Sequence, residues 1–196
     1  MNILEIFTNS ILLIITLDNE LWDIILLSLF VSFTALIIAS LFGFIVGYYF
    51  AIYNFFFKKI ILIIINSLMG IPPVVVGLIV YFIFASGGPL GILQLLYTPS
   101  AMIIAQTIII FPIIASLSHE IFSKNWFEFK DQIRSLNIPF WGSVKLLFNH
   151  SYFLLITTLL SAFGRAISEV GAVMIVGGNI DHYTRVMTTA ISLETR

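Results

Sequence analysis

The sequence has no cysteine. That excludes disulfides, thiolate metal ligands and a cysteine nucleophile. Charge is nearly as scarce. Asp, Glu, Lys and Arg together make up 10% of the 196 residues, where a soluble domain carries about 25%. None occurs from Ile24 to Phe57, and none from Ile60 to His119. The net charge is −1 and no basic run offers itself to nucleic acid. His119, His150 and His182 are scattered, and no carboxylate pair or metal-ligand spacing accompanies them, which argues against an intramembrane enzyme. No metal and no cofactor are expected. The N-terminus lacks the positive region of a cleaved signal peptide.

What is present is apolar. Hydrophobic residues make up 60% of the chain and the mean hydropathy is +1.09. The first uncharged run exceeds the ~20 residues one bilayer crossing needs, and the second is long enough for two. The expectation is one all-α polytopic membrane domain over residues 1–196. Ile3 to Leu17 would reach only roughly 22 Å as a helix, short of a ~30 Å hydrocarbon core. It reads as a short N-terminal interfacial helix, within 1–20, with a strained crossing as the alternative. Four spans follow, at about Leu26–Tyr49, Ile60–Ala85, Ser100–Ser118 and Ser151–Val176. Ala39, Gly43, Gly47 and Ala51 place a small residue on every turn of the first, so another helix can approach closely, within the subunit or from another. Pro72 and Pro73 interrupt the second, where two missing donors require a kink or a break. That break is either a packing feature or the lining of a pathway.

Orientation follows from Lys and Arg. The Lys58–Lys59 loop and the segment His119–His150 hold six of the nine basic residues and are separated by two spans. Both are therefore cytoplasmic. The acidic Asp18–Asp23 region, the Gly87–Gly91 turn and the loop Asp181–Arg185 are then external.

Two features point to function. Arg165 and Glu169 stand four residues apart in an apolar span, so on a continuous helix they share a face. An ionisable group at membrane depth costs roughly 2.5 to 3.5 kcal/mol even on the most lenient scale, and it is kept where it faces protein or a water-filled path. Ser161, Ser168 and Asn179 add neutral donors nearby. The pair can equally be a structural ion pair holding helices together. The second feature is the mixed cytoplasmic segment 119–150, whose charges alternate with Trp126, Phe127, Phe129, Ile133, Leu136, Phe140 and Trp141. Phe129, Ile133 and Leu136 fit one helical face. Asn137 is suited to the left-handed residue that ends a helix, Pro139 follows, and Ile138–His150 reads as a second helix. The result is a helix–turn–helix with apolar knobs for a partner, or an interfacial hairpin lying on lipid.

Asp131-Gln-Ile-Arg-Ser-Leu-Asn137 resembles a degenerate coupling motif of ABC importer permeases, usually Glu-Ala-Ala, three residues, then Gly. Asp131 stands for the Glu and Asn137 for the Gly. Met69-Gly-Ile-Pro-Pro-Val-Val-Val-Gly77, Gly88-Pro-Leu-Gly91, Gly164-Arg-Ala-Ile-Ser-Glu-Val-Gly-Ala172 and Gly177-Gly-Asn-Ile180 follow one another in order. Together they resemble the permease subunits of the tungstate, molybdate and sulfate importers, closest to the tungstate type, over about Leu21 to Leu193.

The resemblance implies an ABC type I importer permease-like helical bundle in the cytoplasmic (inner) membrane of a prokaryote. It implies a homodimer of two permease copies, cytoplasmic ATP-binding subunits and an extracytoplasmic oxyanion-binding protein. The coupling helix pair, with Asp131, Arg134, Ser135, Leu136, Asn137 and Ile138, would dock on the ATPase. Arg165, Ser168, Glu169, Asn179, Pro72 and Pro73 would line the substrate path. ATP hydrolysis falls to the partner, because a P-loop needs Gly-Lys-Ser/Thr and none of the five lysines follows a glycine. Two departures stand out. The family's further C-terminal helix, after the position of Leu193, is expected to be missing from this sequence. Asn149-His150 also replaces the usual Leu-Pro at the end of the coupling motif. The alternatives are a molybdate or sulfate permease and, outside the class, a small channel or assembly scaffold with no use for a docking turn.

Overall fold

A computed structural model of the protein describes residues 19–194. The expected helix over Ile3–Leu17 lies outside them. Among the described residues there are seven α-helices and one 3-10 turn: α1 (Asn19–Ile52), α2 (Lys58–Leu68), α3 (Pro73–Phe84), the turn Gly91–Leu93, α4 (Pro99–Ser135), α5 (Phe140–Ile167), α6 (Gly171–Gly177) and α7 (Met187–Glu194). Helices α1, α4 and α5 are each long and apolar enough to cross a bilayer, and α2 with α3 makes a fourth candidate bent by 102°.

Helices α1 and α4 form the spine. The stripe Ala39, Gly43, Gly47 and Ala51 is buried, and it faces α4 within the same chain. A Cβ on Gly43 would stand 2.8 Å from Ile114 Cγ2, and one on Gly47 would stand 2.9 Å from the His119 backbone nitrogen. Both pairs advance together along their helices, so α1 and α4 run parallel. Small residues allow the backbones to approach, and van der Waals contact then supplies the attraction that lipid cannot. The opposite side of α1, with Leu26, Phe30, Phe33, Ile37 and Leu41, is left exposed, as a lipid-facing side would be.

The double proline breaks the second span. Pro73 occupies the first turn of α3, where its missing N–H costs nothing. It also forces Pro72 into extended backbone, at φ −59° and ψ 130°. A continuous helix is impossible through such a pair, and the chain turns by 102°. Helix α3 then packs on α6. A Cβ on Gly77 would meet Ala172 Cα at 2.7 Å, and one on Gly171 would meet Val74 Cγ2 at 2.7 Å.

The fourth span differs from the expectation in two ways. Helix α5 begins at Phe140, so the second helix expected over Ile138–His150 and the span are one element, as are the third span and the segment up to Ser135 in α4. It also ends at Ile167 instead of running to Val176. At 37 residues α4 is roughly 55 Å long at ~1.5 Å per residue, well beyond the hydrocarbon thickness.

The core divides along the molecule. One cluster, around Met102, Ile110, Ile114, Val173 and Val176, joins α4 to α3 and α6. A second, around Tyr48, Phe122, Ile133 and Leu147, holds the α4–α5 hairpin against the end of α1. Buried hydrogen bonds stitch this end together, from Tyr48 Oη to Ser143 Oγ at 3.0 Å and from Asn125 Nδ2 to Ser151 Oγ at 2.6 Å. At the other end Arg185 reaches Glu20 at 3.8 Å and Asp181 at 2.9 Å. The acidic start of α1 and the Asp181–Arg185 loop thus share one end, as the charge distribution requires.

Gly47→Leu should push α4 off α1. We expect it to lower the melting temperature of the detergent-solubilised protein by an amount matching about 3 kcal/mol, or to prevent accumulation in the membrane.

Candidate functional site

Where helix α5 ends, two side chains from other helices and one of the break itself bind the backbone. Gln106 Nε2, from α4, donates to the Ala166 carbonyl at 3.1 Å. Thr188 Oγ1, from α7, donates to the Glu169 carbonyl at 2.8 Å. Glu169 Oε1 accepts the Ala172 N–H at 3.0 Å and so caps the start of α6. The break Ser168–Val170 therefore combines two tertiary hydrogen bonds with a local side-chain cap.

Arg165 lies in the last turn of α5. Its Nη1 donates to Glu169 Oε2 at 2.7 Å, while the Glu169 side chain is 3% exposed and that of Arg165 34%. The i,i+4 pairing is as expected, although Glu169 sits past the helix end instead of on it. Arg165 borders a cavity of about 210 Å³. Leu68, Met69 and Ile71 of the first break line it, with Val76 of α3 and Thr107, Phe111 and Pro112 of α4. Arg165, in the turn before the second break, thus faces the first break across a mostly apolar chamber.

The remaining expected path residues fall in different places. Pro72 and Pro73 set the break but do not border the cavity. Ser168 is exposed and its Oγ donates to the Arg165 carbonyl at 3.2 Å. Asn179 lies beyond the far end of α6, at φ 50°, with its Oδ1 buried and without a hydrogen-bond partner among the described residues, and it does not line the chamber beside Arg165. Thr157, Ser161, Gly164 and Ser168 are exposed along α5, and Thr157 and Ser161 also line a polar groove of about 530 Å³ with Glu120, Lys124, Glu128 and His150. Ser161 and Ser168 were expected as donors, but Thr157 and Gly164, which extend them into a stripe, were not. Polar or small residues recurring every three or four positions in an apolar helix were the available signal. Gln106 and Thr188 carried no such signal, since each acts on a segment 60 or 19 residues away.

The turn after Ser135 has the geometry the sequence suggests. Asn137 is left-handed at φ 47°. Its N–H donates to the Arg134 carbonyl at 3.2 Å and the Ile138 N–H donates to the Ile133 carbonyl at 3.0 Å. This is a Schellman cap, in which Ile138 also packs into the cluster containing Ile133. The expected apolar face does not hold together, however. Ile133 is buried and Phe129 half-buried against His150, whereas Leu136, as the cap residue, turns outward and is 72% exposed. Asp131, Arg134 and Ser135 are exposed around it. Phe127, Phe140 and Trp141 are exposed at the same end of the hairpin. The turn therefore presents an apolar knob ringed by charge, on a rigid base.

Comparison with known proteins fits this arrangement. Residues 39–195 match the family model described as binding-protein-dependent transport system inner membrane component. The chain is 40% identical over 191 residues to the tungstate uptake system permease protein TupB of Peptoclostridium acidaminophilum, covering 97% of this chain and 84% of that one. It is 37% identical to a protein of Haloferax volcanii named "Probable anion ABC transporter permease protein", over 86% of this chain and 75% of that one. It is 41% identical to the TupB of Campylobacter jejuni, over 73% of this chain and 60% of that one. With its bundle of membrane-length helices and its broken spans, the chain belongs to the family of binding-protein-dependent transport system inner membrane components, the multi-pass permeases of ABC transporters.

Proposed function

We propose that this chain is the permease subunit of an ATP-driven importer of tetrahedral oxyanions, with tungstate as its substrate. One observation carries the reading. Arg165 is the single Lys or Arg of the described spans that lies away from the charged ends, and it borders a chamber whose wall is the first helix break. Among the described residues only one hydrogen bond, to Glu169, draws on its five N–H donors. A conduit for a dianion needs donors and modest positive potential without a trap too deep to leave. A guanidinium tempered by one carboxylate meets that need. The relatives named for tungstate uptake support the choice of anion.

In this reading Arg165, Glu169 and Ser168 belong to the path, Pro72 and Pro73 shape its wall, and Asn179 lies toward the external mouth. A second copy of the chain completes the pathway in the bilayer. An extracytoplasmic binding protein delivers the anion. ATP-binding subunits dock on Asp131, Arg134, Ser135, Leu136, Asn137 and Ile138 within the coupling segment 119–150, and hydrolysis is theirs.

Three outcomes test it. Leu136→Asp should abolish co-purification of a P-loop ATPase from solubilised membranes while leaving the permease itself at normal abundance. Recovery of the ATPase with the variant would remove the docking assignment. Asn137→Gly should keep the cap and full tungstate uptake, whereas Asn137→Val should cost about 1 to 2 kcal/mol in thermal stability. Arg165→Gln should lower tungstate uptake about tenfold or more, measured as cell-associated tungsten, since it leaves Glu169 as the only charge at the site.

A further inference from the structure

Arg165 and Glu169 are unequal partners. The Glu169 carboxylate has two attachments, Arg165 Nη1 at 2.7 Å through Oε2 and the Ala172 N–H at 3.0 Å through Oε1. Its backbone carbonyl is held by Thr188 at 2.8 Å, and its side chain is 3% exposed. Arg165 is 34% exposed, has that one hydrogen bond among the described residues, and lines the cavity. When the bond between them opens, Glu169 stays in place on the α6 backbone. The guanidinium, on its long flexible stem, is the group that can turn away.

Resting on the reading that Arg165 lies on the oxyanion path, we propose that Glu169 is a fixed competitor for Arg165 that sets a charge threshold for passage. A tetrahedral dianion displaces the carboxylate from the guanidinium, and a monoanion of the same shape does not. Coulomb attraction scales with the product of charges, so at equal distance a dianion draws the guanidinium twice as strongly as a carboxylate does. A monoanion only equals the carboxylate, which is tethered to the chain and already seated on the guanidinium. Selectivity then arises as a difference between two competitors for one cation and needs no pocket fitted to the anion. The same competition empties the site, because Glu169 recaptures Arg165 as the anion moves on.

Perrhenate is the probe, a tetrahedral monoanion of nearly the size of tungstate. Tungstate uptake is measured in proteoliposomes holding the permease with its partner subunits, with excess perrhenate on both sides. Wild-type uptake should be unchanged. Glu169→Gln keeps an acceptor for the Ala172 N–H but removes the competing charge, and perrhenate should lower its uptake about tenfold. A well-accumulated Glu169→Gln as indifferent to perrhenate as wild type would overturn the proposal. Should Glu169→Gln fail to accumulate, Glu169→Asp carries the test. Its shortened carboxylate cannot hold both Arg165 and Ala172, so perrhenate sensitivity is again expected and insensitivity again overturns the idea. Arg165→Gln separates the two levels. Undiminished tungstate uptake in that variant removes the path reading itself, whereas lost uptake beside a perrhenate-indifferent Glu169→Gln leaves the path and removes the role of Glu169.

Discussion

Backbone amides and carbonyls freed inside a bilayer have no water to turn to, and each one left unpaired costs several kcal/mol. That constraint governs where this chain can stop being helical. It does so at Met69–Pro72 and at Ser168–Val170, and one chamber is lined by Met69 and Ile71 of the first and by Arg165, in the turn before the second. Single i→i+3 bonds carry the first break, with Gly70 and Ile71 donating to Ser67 and Leu68 at 3.1 and 3.3 Å. The second is carried by Gln106, Thr188 and Glu169. Irregular backbone at membrane depth is tolerated where protein or a cavity surrounds it, and both conditions are met here.

The rest of the fold keeps those breaks adjacent. Small residues at Gly43, Gly47, Gly77 and Gly171 bring α1 to α4 and α3 to α6 at distances no side chain would permit. At Gly47 and Gly77 another backbone itself closes the space, at the His119 nitrogen and the Ala172 Cα. The buried polar pairs Tyr48–Ser143 and Asn125–Ser151 lie in the other half, where the hairpin leaves the spine, and they fix its register through directional bonds that an apolar contact would not provide.

Local chemistry was legible in the sequence to the extent that it was local. The left-handed Asn137, the break at Pro72–Pro73 and the approach of Arg165 to Glu169 each depend on residues within a few positions, and each is as expected. The stripe on α1 was legible as a close-packing face, but its partner was not, since nothing in Gly43 or Gly47 specifies Ile114 or Ser118. The continuity of Ser151–Val176 failed for the same reason. Its apolar composition permits one helix, and the interruption is held in part by Gln106 and Thr188 from other elements. Leu136 misled through periodicity, because the face defined by Phe129 and Ile133 ends one residue before the cap turns its side chain outward.

One consequence follows from the length of α4. It joins the exposed turn after Ser135 to the chamber beside Arg165 in a single rod, and a rod transmits tilt without attenuation. A rotation of roughly 5° about its middle would carry each end by roughly 2 Å, given ~1.5 Å of rise per residue. The rod has one soft point. Pro112 cannot donate to the carbonyl a turn earlier, and helices bend most readily where that bond is missing. Pro112 lines the chamber itself. A push delivered at the turn therefore meets its first compliant joint at the wall that Arg165 faces, so distance from the cytoplasm and mechanical remoteness are different things in this protein.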